Sequence, residues 1–365
     1  MTKNHYSILI AGILSASIAM SANAGTEWTI KIFDGVELVD INNSGQIVGR
    51  YTGTNQHFIT GPDGEGIIKT FDLSGGWVSA INDSGQITGI GGGIGAFITD
   101  ANGENLRSIG TLGGKDSFAY DINNSGQVIG TSSTLGGDSH AFMTGPNGVG
   151  MIDLGTLGGK NSSARAINES GQMVGASQTS DGFYHAFITG PNGIGMTDLG
   201  TLGASNSFAS SINDHGQVVG FAGDLSNFFY PFITESNGEG MHYLGGNFMT
   251  SGIGKSDINN SGQIMLNHSD SGSVMLYSDG IYTNLISLPA FSASGLHFEI
   301  YANAINDKSQ IIGREIMVGE SGSAFLLMPI SSIPEPQVYV MLLAGLGFLG
   351  FVVFRRESIL ELTSC

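Results

Sequence analysis

Apolar and polar positions along the chain alternate in short runs with the period of two expected of half-buried strands, and the runs recur in a fixed order. One phrase carries the rhythm: an apolar residue, a polar stretch, a Gln and then an apolar run. It starts at Ile41, Ile81, Ile122, Ile167, Ile212, Ile258 and Ile305, at spacings of 40 to 47 residues. Every copy has Asn directly after the Ile and Gln five residues after it, and the residue before the Gln is Gly in six copies and Ser309 in the last. This reads as a hairpin whose late Gly takes a positive φ. A second apolar strand follows, centred on Phe58, Phe97, Phe142, Phe187, Phe232 and Phe325, with Val274 to Tyr277 as a degraded copy. Turns such as Gly145-Pro146-Asn147-Gly148 close it. A further short strand, Met151 to Leu154 or Met196 to Leu199, and a Gly-rich bend such as Gly155 to Gly159 return the chain to the next repeat.

Each unit therefore holds about four short strands, the signature of a β-propeller blade, and seven units fall inside the known range of blade numbers. The expected fold is an all-β, seven-bladed β-propeller-like domain over residues 25–333, with an open β-solenoid or a pair of sandwiches as the competing architecture. The last repeat ends after its third strand, Ala324 to Ile330, while Trp28 to Ile32 is a strand with no unit of its own. Trp28 precedes Ile41 by 13 residues, as Leu154 precedes Ile167. This strand is expected to complete the seventh blade and close the ring.

The two ends carry other signals. Lys3, an apolar run from Tyr6 to Met20 and the small-x-small pattern Ala22-Asn23-Ala24 predict a signal peptide over 1–24, cut by signal peptidase after Ala24. Near the C-terminus stand Pro334-Glu335-Pro336, an uncharged run from Val338 to Phe354, and the basic pair Arg355-Arg356. The run is just long enough to span a bilayer core, with the basic pair on the cytoplasmic side. These three features in this order resemble the PEP-CTERM sorting domain of Gram-negative bacteria, here over 334–356. The resemblance implies recognition by an exosortase, a membrane peptidase or transpeptidase, often in species that make exopolysaccharide. The chain departs from the pattern in its tail, 357–365, since such domains usually stop after the basic cluster. A plain C-terminal membrane anchor is the alternative reading.

In the middle, Asp153 to Gly159 (DLGTLGG), Ala166 to Gly175 (AINESGQMVG) and His185 to Gly190 (HAFITG) resemble the HAF repeat of bacterial extracellular proteins. The likeness is strongest in the central three units; the first, second and sixth lack the full His-Ala-Phe. It implies export and brings no reaction with it.

Composition narrows the function. The 58 Gly in 365 residues fit many tight turns, and 41 % hydrophobic residues suffice for a large core. The net charge of −18 is kept when both ends are removed, since Lys3, Arg355 and Arg356 leave with Glu335, Glu357 and Glu361. Such a field repels phosphate backbones, which argues against nucleic-acid binding. A single Cys, at position 365, rules out a disulfide framework and thiolate zinc sites.

Catalytic motifs are missing from the pattern. His57, His140 and His185 are read as one repeat position beside the strand Phe, which suggests structure over catalysis; His215 replaces the usual Ser of the fifth turn, and His242 and His268 fall in irregular segments. No Gly-x-Ser-x-Gly is flanked by a strand and a helix, and Glu65, Glu239 and Glu299 are scattered, so no acid–base pair is apparent. No cofactor is expected, with calcium as the one candidate ion. Asp40, Asn42 and Ser44, with Asp121, Asn123 and Ser125, and Asp257, Asn259 and Ser261, have the alternate oxygen spacing that opens a calcium loop. The other four repeats put Ala80, Ala166, Ser211 and Ala304 at the Asp position, and Asn and Ser turn chemistry accounts for the same residues without an ion. For sugar binding, the aromatics to consider are Trp28, Trp77 and the cluster Phe228-Phe229-Tyr230.

The reading that results is an exported, non-enzymatic surface or matrix scaffold, with a carbohydrate-binding module second and a hydrolase third. Its expected partners are signal peptidase, exosortase, the membrane through the C-terminal helix, and exopolysaccharide.

Overall fold

The computed structural model describes residues 27–330 except 225–227, 246–249, 252–254, 269–271, 297–298 and 317–321. The expected signal peptide with Ala22 and Ala24, the sorting segment with Pro334, Glu335, Pro336, Arg355 and Arg356, and the tail lie outside the described residues. Among the described residues no helix is long and apolar enough to cross a membrane.

Seven antiparallel sheets follow one another along the chain, each a meander that opens on its innermost strand. The innermost strands are Val36–Ile41, Trp77–Ile81, Gly113–Ile122, Gly158–Ile167, Asn206–Ile212, Ser256–Ile258 and Ile300–Ile305. Each ends on the repeated Ile, so the phrase read from sequence is the turn from the first strand of a blade to its second. The seventh sheet takes its outer strand from the other end of the chain. Glu27–Phe33 pairs along its whole length with Ala324–Ile330, from Glu27 opposite Ile330 to Phe33 opposite Ala324. Lys31 of this strand is buried and donates to the carbonyl of Gly64 at 2.9 Å and to Glu65 at 2.7 Å, pinning the last blade to the first. The ring is closed, and the open solenoid is excluded. A sheet that borrows its last strand leaves no unfinished blade at the joint.

The core lies between blades. The Phe of each third strand (Phe58, Phe97, Phe142, Phe187, Phe232 and Phe325) is at most 1 % exposed. The apolar clusters are shared by neighbours: Ile129, Ala141 and Met143 of the third blade, for example, pack with Ala164, Ile167, Met173 and Phe187 of the fourth. Each such Phe contributes roughly 2–3 kcal/mol of transfer free energy.

Two backbone devices recur. The hairpin Gly takes positive φ, from 72° at Gly216 to 82° at Gly45, and Ser309 accepts the same region at 59° in the last repeat. In six blades the innermost strand also carries a β-bulge, as between Leu38 and Asp40 or Ala119 and Asp121. Opposite it the second strand has a Gly. A Cβ at Gly130 would lie 1.9 Å from the carbonyl oxygen of Phe118, and one at Gly175 2.0 Å from that of Ser163. The sixth blade pairs Ser256 with Leu266 and Ile258 with Ile264 without a shift, and there Leu266 stands where the other blades have Gly. The bulge and the glycine belong together.

Candidate functional site

The seven turns converge on one mouth of the central channel, around a cavity of about 220 Å³. Two closed rings of hydrogen bonds line it. In the first, the side-chain amide of each repeat Asn donates to the backbone carbonyl of the next: Asn42 to Asn82, then Asn123, Asn168, Asn213, Asn259 and Asn306, and from Asn306 back to Asn42, all at 2.9–3.2 Å. The Asn oxygen meanwhile accepts from the N–H of its own repeat Gln, as Gln46 to Asn42 at 2.9 Å. The same amide also reaches the Gln oxygen, as Asn123 to Gln127 at 2.8 Å.

In the second ring each backbone N–H of the following residue donates to the side chain one blade on. The sequence is Asn43, Asp83, Asn124, Glu169, Asp214, Asn260, Asp307 and back to Asn43. The four carboxylates alternate with amides except where Glu169 meets Asp214. Asn260 donates to both Asp214 and Asp307, and Asn43 donates to Asp307. Burial, followed by the charges of Asp214, Asp83 and Asp307, raises Glu169 above its ordinary value against the opposing pull of the Asn124 N–H.

The Gln amides tie the turns outward. Gln86 reaches the Asn147 side chain, Gln127 that of Asn192 and Gln172 that of Asn237, each in the next blade's outer turn; Gln310 closes the set on Asp63 at 2.9 Å. Asp63, Asn147, Asn192 and Asn237 all have positive φ.

The residues considered for calcium are separated by this chemistry. Asn42, Asn123 and Asn259 belong to the amide ring. Ser44 and Ser125 donate their hydroxyls to the Asn oxygens at 2.7 and 2.8 Å, and the Ser261 N–H donates to Asn259. Asp40, Asp121 and Asp257 each serve two N–H groups, their own blade's Ile and the next blade's. Asp40 accepts from Ile41 and from Ile81 at 2.9 Å; Asp121 from Ile122 and Ile167 at 2.8 and 2.9 Å; Asp257 from Ile258 and Ile305, both at 3.0 Å. An Asp in three blades thus caps six of the seven repeat Ile residues, which is why the following blade has Ala80, Ala166 or Ala304. Among the described residues no three His, Cys, Asp or Glu side chains gather around a common point suited to a metal.

Burial in the channel wall pushes Asp40 up to about 6 and Asp121 up to about 8 from 3.8. The N–H donors oppose this, and Asp257 adds to it by repulsion, as Asp40 does for Asp121. Both groups keep a proton in the folded chain at pH values where the unfolded chain has lost it. Their contribution to stability is therefore full below about pH 4 and is lost as pH rises through 6 and then 8. At about 1.4 kcal/mol per unit, a decline of several kcal/mol is expected, on the order of 10 °C in Tm between pH 4.5 and 8.5. Calorimetry across that range checks it. Asp121→Asn, which does not ionise, should flatten the slope between pH 6 and 8 whatever it does to the absolute Tm.

Away from the channel, His140 Nδ1 lies 2.9 Å from both carboxylate oxygens of Asp153, and His185 Nδ1 lies 2.8 Å from Asp198. Each pair joins a third strand to its outer strand. His57 does not share their position: it directly precedes Phe58 and pairs with Arg50, which is the place of Ala141 on the opposite face of the strand, and it stacks on Phe71 with centroids 5.7 Å apart. Trp28 is partly buried against the core, Trp77 is 48 % exposed, and Phe229 is buried while Phe228 and Tyr230 face outward. The sequence hinted at none of the partners in the two rings, because they lie 40 or more residues away along the chain.

Residues 332–356 match the PEP-CTERM protein-sorting motif, which marks the chain for exosortase-type sorting and export in Gram-negative bacteria. No curated protein matches the chain. Among solved structures, the β-propeller domain of Cps50 (Swd1) from Myceliophteria thermophila is similar at 7 % identity, covering 83 % of this chain and 100 % of that one, with a TM-score of 0.53. YCF48 from Cyanidioschyzon merolae is similar at 12 % identity, covering 83 % and 99 %, with a TM-score of 0.51. At these identities the likeness is one of fold alone.

Proposed function

We propose that this exported propeller is a non-enzymatic scaffold of the cell surface or extracellular matrix. In this reading it is delivered by a signal peptide cut after Ala24 and held by its C-terminal apolar run until an exosortase acts near Pro334-Glu335-Pro336. The observation that carries the reading is the sorting motif at the end of a ring whose channel-mouth side chains are all committed to neighbouring blades. A catalytic site on a propeller breaks the repeat with a cluster of unlike groups. Here the mouth residues differ in charge, yet each does the same job. The HAF-repeat resemblance belongs with this reading, since the His of one signature segment and the Asp of another form the clips at His140–Asp153 and His185–Asp198.

The test is fractionation of full-length chain in a host that has an exosortase. Wild type is expected to leave the inner membrane as a shortened form, and a variant carrying Pro334→Ala, Glu335→Ala and Pro336→Ala is expected to stay there at full length. Equal release of both sinks the sorting half. Turnover by the released wild type in a screen of glycosides and esters sinks the non-enzymatic half.

A further inference from the structure

Blade five departs from the clip of blades three and four. The two positions held by His185 and Asp198 are Tyr230 and Tyr243 here, fixed by the pairing of Phe232 with Tyr243 as Phe187 pairs with Asp198. Their rings meet edge to face, centroids 5.7 Å apart at 69°. Phe228 stands two residues before Tyr230 and so shares its face of the strand. These three rings are 43, 43 and 42 % exposed for Phe228, Tyr230 and Tyr243, whereas Phe229 between them is 7 % exposed and packs toward blade six. Phe232, two residues beyond Tyr230, packs toward blade four, so the exposed rings open on that side.

A single exposed aromatic needs no explanation, but three gathered at the position where the preceding blades place a polar clip form a patch with a chemical character. It has flat apolar ring faces, and two of its three rings are phenols. Pyranose rings offer the complement: C–H faces that stack on aromatics and hydroxyls that bond to tyrosine. Charge narrows the class further. The chain carries −18, so polymers of uronate or sulfated sugars are repelled. We propose that Phe228, Tyr230 and Tyr243 form a binding platform for a chain of neutral hexose residues. The platform gives the extracellular scaffold a ligand, and it depends on that reading only for its setting, because binding is measured on purified chain whatever its sorting.

The experiment uses full-length chain in a detergent without a sugar headgroup and measures affinity for cellohexaose, laminarihexaose and dextran, with alginate as the anionic comparison. The decisive variant is Tyr230→His with Tyr243→Asp, which installs the clip of blades three and four and so keeps the fold. Wild type should bind at least one neutral glycan and not alginate, and the double variant should bind at least about tenfold more weakly, the loss expected when two aromatic anchors go. Unchanged melting of the variant certifies its fold. Tyr230→Ala and Tyr243→Ala singly supply the same readout if it does not fold. No binding by wild type, equal binding by the variants, preference for alginate, or self-association that the double variant abolishes would each overturn the proposal.

Discussion

Gly130→Ala is expected to abolish cooperative folding or to lower Tm by well over 10 °C. The added Cβ would sit 1.9 Å from the Phe118 carbonyl oxygen, a backbone atom that has no rotamer to yield. The β-bulge pushes that carbonyl toward the second strand, so relief requires breaking the pairing of innermost and second strands along the blade. A cost above about 4 kcal/mol is the scale of such overpacking combined with lost ladder bonds. Gly136→Ala is the control: its Cβ would find only the Thr134 hydroxyl, at 3.7 Å, and a change within about 0.5 kcal/mol is expected. Thermal melts of the two variants decide the point. Similar curves for both would mean that the bulge can flatten at little cost.

The second large effect is expected at the amide ring. Asn123→Ala strips the acceptor of the Gln127 N–H and Ser125 hydroxyl, and the donor to the Gln127 oxygen and the Asn168 carbonyl. Asn123 and Gln127 are buried, so the groups left behind lose water as well as their partner. Unpaired buried polar groups cost about 1–3 kcal/mol each, which puts the loss at roughly 3–5 kcal/mol. Ser125→Ala removes one half-exposed hydroxyl from the same turn and should cost about 1 kcal/mol or less. Denaturant titration of both separates a ring that holds blades together from a turn that is merely well formed. Equal, small losses would refute the ring's role.

Much of the architecture was legible because it is local. The period of two, the positive-φ Gly and the Pro-Asn-Gly turns each act within a few residues, and the strand count per repeat followed from them. The closing strand was legible from spacing, Trp28 standing before Ile41 as Leu154 stands before Ile167. The purpose of the invariant Asn and Gln was not, since their amides act on the neighbouring blade and leave no mark in the phrase itself. Within one repeat the irregular Asp has the spacing that opens an ion loop. Its logic spans two repeats, Asp40 with Ile81 and Asp121 with Ile167. At the aromatic platform the substitution of Tyr230 for His185 was visible by aligning repeats, but not that Phe229 turns inward while its two neighbours face out.

The shared aspartates have an arithmetic consequence. Objects that cover two places each can tile an even circle completely, but seven places always leave one over. Blades one and two, three and four, and six and seven form the pairs, and blade five is the remainder, where Ser211 turns its hydroxyl to Asp257 at 2.6 Å. Two irregularities lie at this seam: the fifth blade has tyrosines at the clip positions of blades three and four, and the sixth pairs Ser256 to Ile258 without the bulge. Odd symmetry thus leaves blade five as the one blade outside the aspartate pairs.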